Sequence, residues 1–214
     1  MAKSKSELTT TLLQVDRHIN QRDFQAAVSI LLTAIEKDPA NPVLRALLGS
    51  CYGGLNRWDE AAEEYRTALR IDPRGHSNIH VPLATAYFNQ GLFDDAVREF
   101  KIGLKEYPED SDGRFLLARI YHRQGRLKEA LTEYKTTLLH NPSQESVIHS
   151  SLGVLYAQQG HLDTAIQEFI ASIELAPNDG ETRFLLARCY EESGNTKMAK
   201  REYQIAAELG YEAK

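Results

Sequence analysis

The sequence predicts an all-α fold, an array of tandem helical hairpins. Three observations carry that expectation. Prolines recur at Pro39, Pro73, Pro108, Pro142 and Pro177, at intervals of 34, 35, 34 and 35 residues. Other residue types keep the same step: tyrosines at Tyr52, Tyr87, Tyr121, Tyr156 and Tyr190, and alanines at Ala27, Ala61, Ala96, Ala130, Ala165 and Ala199. Strand patterning is missing throughout, because apolar and polar residues never alternate for long and no Asn-Gly or Asp-Gly turn separates apolar runs.

Each period reads as two short helices. In the fourth copy Phe115, Leu116, Ile120 and Tyr121 fall near helical spacing, and Gly125 ends the run. Leu127, Leu131, Tyr134 and Leu138 mark the second helix, which Pro142 follows. Gly91, Gly125, Gly160 and Gly194 share one turn position, with Asn56 as the substitute in the second copy; these residues tolerate the left-handed conformation that ends a helix. The alanines suit a close helix crossing. Leu31, Tyr65, Phe100, Tyr134, Phe169 and Tyr203, one turn later, fill the adjacent gap. Six copies tile the chain at about 8–41, 42–75, 77–110, 111–144, 146–179 and 180–213, behind a polar leader at 1–7.

Composition bounds the function. The chain has 214 residues, 42% hydrophobic and 26% charged, with a formal charge of −5. That charge opposes general nucleic-acid or anionic-membrane binding. Two cysteines argue against a disulfide scaffold and for a reducing, cytoplasmic setting. The sequence has neither an apolar run long enough to span a membrane nor a signal-peptide pattern.

The repeating residues resemble the tetratricopeptide repeat family. Leu48-Gly49, Tyr52, Ala61, Tyr65, Ala68 and Pro73 carry the resemblance in the second copy, and Leu152-Gly153, Tyr156, Ala165, Phe169 and Pro177 in the fifth. The resemblance covers about 8–213 and implies one right-handed superhelical solenoid of about twelve helices. It further implies that the first helix of each hairpin lines a concave face and the second lies outside. Departures fall at the ends. The first copy has Gln14, Val15 and His18 in its first helix, and the last has Lys200 and Ala207 where the others are apolar, as expected if no repeat follows.

No Gly-rich phosphate loop, GxSxG, HExxH or CxxC motif is present, so neither enzyme activity, nor a metal, nor a cofactor is expected. Cys51 and Cys189 read as buried, inert thiols, His80 and His149 as packing residues, and Trp58 as an inter-helix contact. The residues free to specify a partner are then those that the family geometry turns toward the concave face. They are Asn78, Val81, Thr85, Phe88 and Asn89 in the third copy, and Phe115, Arg119, His122 and Arg123 in the fourth. Val154 and Gln158 follow in the fifth, and Phe184 and Arg188 in the sixth. Phe115, Arg119 and Arg123 are four apart and share one helix face. The run RFLLAR at 114–119 recurs at 183–188, which repeats the Phe–Arg pair. The fourth copy holds six Lys or Arg against three Asp or Glu, a basic band between acidic neighbours.

An aromatic ring beside a guanidinium suits a peptide with an apolar anchor and a carboxylate. The expected function is a non-catalytic scaffold or adaptor that holds a partner's extended segment or helix. Head-to-tail self-association through the repeat ends is the alternative, and an enzyme or metal binder a remote one. The places that a chaperone-tail dicarboxylate clamp would need hold Leu12, Asp16, Leu47, Asn78 and Pro82 in the first window and Phe115, Arg119, Ser151, Glu181 and Leu185 in another, so that use is not expected.

Overall fold

Short polar side chains start several of the helices, and left-handed residues form the turn inside each hairpin. Asp23 Oδ1 accepts from the Ala26 amide at 3.2 Å, Asp110 Oδ1 from Gly113 at 2.9 Å, and Asp179 Oδ1 from Thr182 at 3.1 Å. Pro42 sits in the first turn of its helix, where its missing N–H costs nothing. The expected turn glycines have φ between 71° and 82°, and Asn56 takes the same conformation at 58°. Arg22 does so too, also at 58°, in the first copy.

In the computed structural model, residues 2–73, 79–140 and 144–211 are described, with side chains from Glu7 onward. Twelve helices and no strand occur among them. They are α1 (Ala2–Asn20), α2 (Phe24–Lys37), α3 (Pro42–Gly54), α4 (Trp58–Ile71), α5 (His80–Gln90), α6 (Phe93–Glu106), α7 (Ser111–Arg123), α8 (Leu127–Leu138), α9 (Glu145–Gln158), α10 (Leu162–Leu175), α11 (Gly180–Glu192) and α12 (Thr196–Glu208). The residues read as a leader begin α1, which starts at Ala2. The chain forms two compact units, Met1–Pro108 with α1–α6 and Glu109–Lys214 with α7–α12. Within each unit, every helix packs on its neighbours in the chain.

The repeated residues form the core of both units. The six alanines are no more than 3% exposed. Tyr65, Phe100, Tyr134 and Phe169 are buried beside them. Space is tight at the crossings. A Cβ at Gly49 would lie 2.9 Å from the Tyr65 ring, and one at Gly153 would lie 2.7 Å from Phe169. Trp58 joins the core of the first unit with Ala61, Tyr65 and Leu83.

Five side-chain pairs, three arginine–glutamate and two histidine–glutamate, tie the first helix of a hairpin to the second, each joining residues 19 apart in sequence. Arg45 Nη1 reaches Glu64 at 2.9 Å, Arg114 Nη1 reaches Glu133 at 2.7 Å, and Arg183 Nη1 reaches Glu202 at 2.9 Å. His80 Nδ1 lies 2.7 Å from Glu99 Oε2, and His149 Nδ1 lies 2.6 Å from Glu168 Oε2. His80 and His149 are therefore rungs of a polar ladder and not only packing residues. In the first hairpin, Thr11 and Ile30 stand at those places. A cavity of about 770 Å³ opens there, lined by Leu8, Thr11, Ile30 and Ala34 among others.

At the other end of the chain, Tyr211 folds back. Its ring centroid is 5.2 Å from that of Phe184, and its amide donates to the Ala206 carbonyl at 3.0 Å. The last turn of the final hairpin is thus held by an aromatic contact where the other copies have proline. Lys200 and Ala207 on α12 are exposed.

Candidate functional site

Helices α7, α9 and α11, the first helices of the second unit's three hairpins, lie side by side. The His122 ring nitrogen Nε2 is 3.3 Å from Gln158 Oε1, which joins α7 to α9. The Ser150 and Thr182 hydroxyls are 2.9 Å apart and join α9 to α11. Most of the predicted binding residues stand on this face, and helical spacing places them there. From α7 come Phe115, Arg119, His122 and Arg123; from α9, Val154 and Gln158; from α11, Phe184 and Arg188.

Both aromatics are half-buried and rest on their own hairpin's second helix. Phe115 packs 5.8 Å from Tyr134 and Phe184 packs 5.3 Å from Tyr203, between ring centroids. Burial raises the Tyr134 hydroxyl above the ordinary tyrosine range, with Ser151 and Arg119 opposing. The Arg119 guanidinium lies 5.9 Å from the Phe115 ring centroid, within cation–π range. Arg188 instead reaches Glu192 at 4.0 Å, one turn along α11. The Tyr203 hydroxyl donates to Glu191 at 2.9 Å, which orients a second carboxylate at the same end.

A cavity of about 320 Å³ opens between α9 and α11. Val154, Ala157, Phe169, Leu185 and Cys189 line it together with Gln158, Arg188 and Glu192, so its wall is part apolar and part polar. Sequence reasoning missed Leu185, Phe169 and Cys189 as lining residues. They belong to the helix-packing pattern, and only the gap beside Ala157 brings them to a surface. The Cys189 thiol is raised by burial first and by Glu192 second, with Arg188 opposing. Burial pushes the Cys51 thiol up to about 11. Both cysteines are buried and held as thiols, which suits packing better than nucleophilic chemistry.

The first unit places its predicted residues differently. Val81 is buried, and its Cγ2 would lie 2.7 Å from a Cβ at Gly103, so it fills the space that this glycine leaves on α6. Val81 is packing, not wall. Phe88 meets Phe93 edge-on at 5.9 Å. Thr85 Oγ1 donates to the Val81 carbonyl at 2.9 Å and Asn89 Nδ2 to the Thr85 carbonyl at 2.8 Å, both along their own helix. Asn78 lies outside the described residues. Among the described residues, no group of three or more His, Cys, Asp or Glu could hold a metal ion, and no helix is long and apolar enough to cross a membrane.

Family models described as tetratricopeptide repeat match residues 18–80, 81–144 and 151–212. The chain belongs to the tetratricopeptide repeat family. Members of this family are in general protein–protein interaction scaffolds rather than catalysts, and this chain has their all-α fold. Anaphase-promoting complex subunit 3 of Schizosaccharomyces pombe is 24% identical over 88% of the chain and 28% of its own length. Intraflagellar transport protein 70A of Xenopus laevis is 22% identical over 86% of the chain and 27% of its own length. The chain thus spans less than a third of these relatives. Among solved structures, YrrB, described as a tetratricopeptide protein with an unusual peptide-binding site, superposes with a TM-score of 0.73. It is 19% identical, and the match covers 84% of this chain and 91% of that one. A crystal structure of MamA gives a TM-score of 0.70 at 20% identity, covering 76% of this chain and 94% of that one.

Proposed function

We propose that this repeat array is a non-catalytic adaptor that holds a partner protein's segment on the α7–α9–α11 face. The observation that carries this reading is the Phe115–Arg119 pair, a half-buried ring beside an exposed guanidinium, repeated as Phe184–Arg188. A ring already backed by Tyr134 or Tyr203 offers apolar area with little side-chain entropy left to lose. In the first pair, Arg119 supplies bidentate donors for a carboxylate or a backbone carbonyl. The names of two relatives, a subunit of one complex and a transport protein, fit a role in assembly, and YrrB's peptide-binding site fits a peptide ligand.

The test is capture of a native partner by the wild-type chain and by Phe115→Ala/Arg119→Ala, with matched thermal melts. The double variant should lose at least ten-fold in affinity, on the order of the loss of one binding hot spot. A partner that binds both proteins equally removes this face from consideration.

A further inference from the structure

The α7–α9–α11 face carries an ordered change of charge. At its α7 edge stand Arg119, His122 and Arg123. In the middle, the equivalent places on α9 hold Val154, Ala157 and Gln158. At the α11 edge they hold Arg188, Glu191 and Glu192. All but Val154, Ala157 and His122 are exposed. The three helices are consecutive neighbours, as the His122–Gln158 and Ser150–Thr182 contacts require. One face therefore runs from cationic, through neutral with an apolar cavity, to net acidic. Arg188 stands 4.0 Å from Glu192, and the α11 edge carries two carboxylates against one guanidinium.

From this order we infer that the face selects a dipolar segment: an apolar side chain seated in the α9–α11 cavity, acidic residues on the α7 side and basic residues on the α11 side. The inference rests on the binding role proposed above and adds the chemistry of the ligand. Charge complementarity excludes a uniformly charged segment, because either sign meets repulsion at one edge. The cavity volume of about 320 Å³ leaves ample room for one apolar side chain. Neighbouring helices pack about 9–10 Å apart, so the two edges are about 20 Å apart, or roughly six extended residues.

Three labelled peptides test this at low salt: Asp-Asp-Gly-Ser-Leu-Ser-Gly-Lys-Lys, and its all-Asp and all-Lys counterparts with the same centre. Fluorescence anisotropy should show the mixed peptide binding at least five-fold tighter than either control. Glu191→Lys/Glu192→Lys should reverse the order and favour the all-Asp peptide. Ala157→Phe, which fills the cavity, should abolish binding of all three while the melt stays at the wild-type temperature; Val154→Trp offers a second filling variant if that one does not fold. Equal binding of the three peptides, an order unchanged by charge reversal, or binding that survives a folded cavity-filling variant overturns the proposal. If the peptide series is flat while partner capture still depends on Phe115 and Arg119, the charge order falls and the binding role of the face stands.

Discussion

The two compact units share one skeleton and differ in their surfaces. In Met1–Pro108 the first helices offer Ala46 and Ser50, then Val81 and Thr85, at the places where Glu109–Lys214 offers Phe115 and Arg119, then Phe184 and Arg188. Val81, the residue of the first unit in register with Phe115, is drawn inward by Gly103, whereas Phe115 stays at the surface on Tyr134. Both units nevertheless bury the same alanine and aromatic positions and carry the same polar rungs. The repeat period is thus spent on packing, and the places outside it are free to differ. The recognition proposed above falls in the second unit because that is where bulky and charged residues occupy those free places.

The largest effect should come from breaking a rung. Arg183→Ala strands Glu202, whose side chain is only 8% exposed, without its cation. Removing one partner of a fully buried pair costs about 3–5 kcal/mol; with Arg183 partly wetted, a loss of about 2–3 kcal/mol is expected in urea unfolding. Arg45→Ala in the first unit, where Glu64 is more exposed, should cost less. A loss below about 0.5 kcal/mol for Arg183→Ala, the scale of exposed pairs, would show the ladder to be ornamental.

Overpacking tests whether the skeleton is common to both units. Ala96→Leu in the first and Ala130→Leu in the second enlarge side chains with no exposed surface, and each should cost roughly 1–3 kcal/mol. Unequal losses, with one variant melting like wild type, would mean that the two crossings are not equivalent.

The alanines, aromatics and turn glycines were readable in the sequence because each repeats four to six times, and repetition separates a packing requirement from chance. The Phe115–Arg119 face was readable for the same reason, through its recurrence at Phe184 and Arg188. Other features were not. The ladder joins residues 19 apart on different helices, with arginine and histidine alternating as the partner of glutamate, so no single residue type marked it. Val81 looked like a wall residue because helix register placed it there. Only the missing side chain at Gly103, on another helix, lets it turn inward. Side-chain direction set by a neighbour is a tertiary fact, invisible to periodicity.

That Val81–Gly103 fit yields the next prediction. Gly103→Ala introduces a Cβ that would lie 2.7 Å from Val81 Cγ2 and 3.1 Å from the Val81 backbone nitrogen, so it should destabilise the first unit by about 1–2 kcal/mol. Val81→Ala removes the methyl clash but not the backbone one. The double variant should therefore be more stable than the sum of the singles predicts, by about 0.5–1 kcal/mol in a double-mutant cycle. Strict additivity would show that Val81 does not occupy the space this glycine leaves, and would return it to the wall.

The smallest expected change is a gain. Arg22 closes the first hairpin's turn at φ 58°, in register with the left-handed glycines of the third to sixth copies and with Asn56 of the second. A residue with a Cβ loses about 1 kcal/mol by sitting there, and glycine does not. Glycine also has more freedom to lose on folding, which returns part of that advantage. The Arg22 side chain is exposed, so little else changes on its removal. Arg22→Gly should raise stability by roughly 0.5 kcal/mol, whereas Gly125→Arg at the equivalent turn of the second unit should lower it by a similar amount. Opposite signs in the two units are the signature of one turn geometry shared by both, and a shift of the same sign in both would separate the two turns.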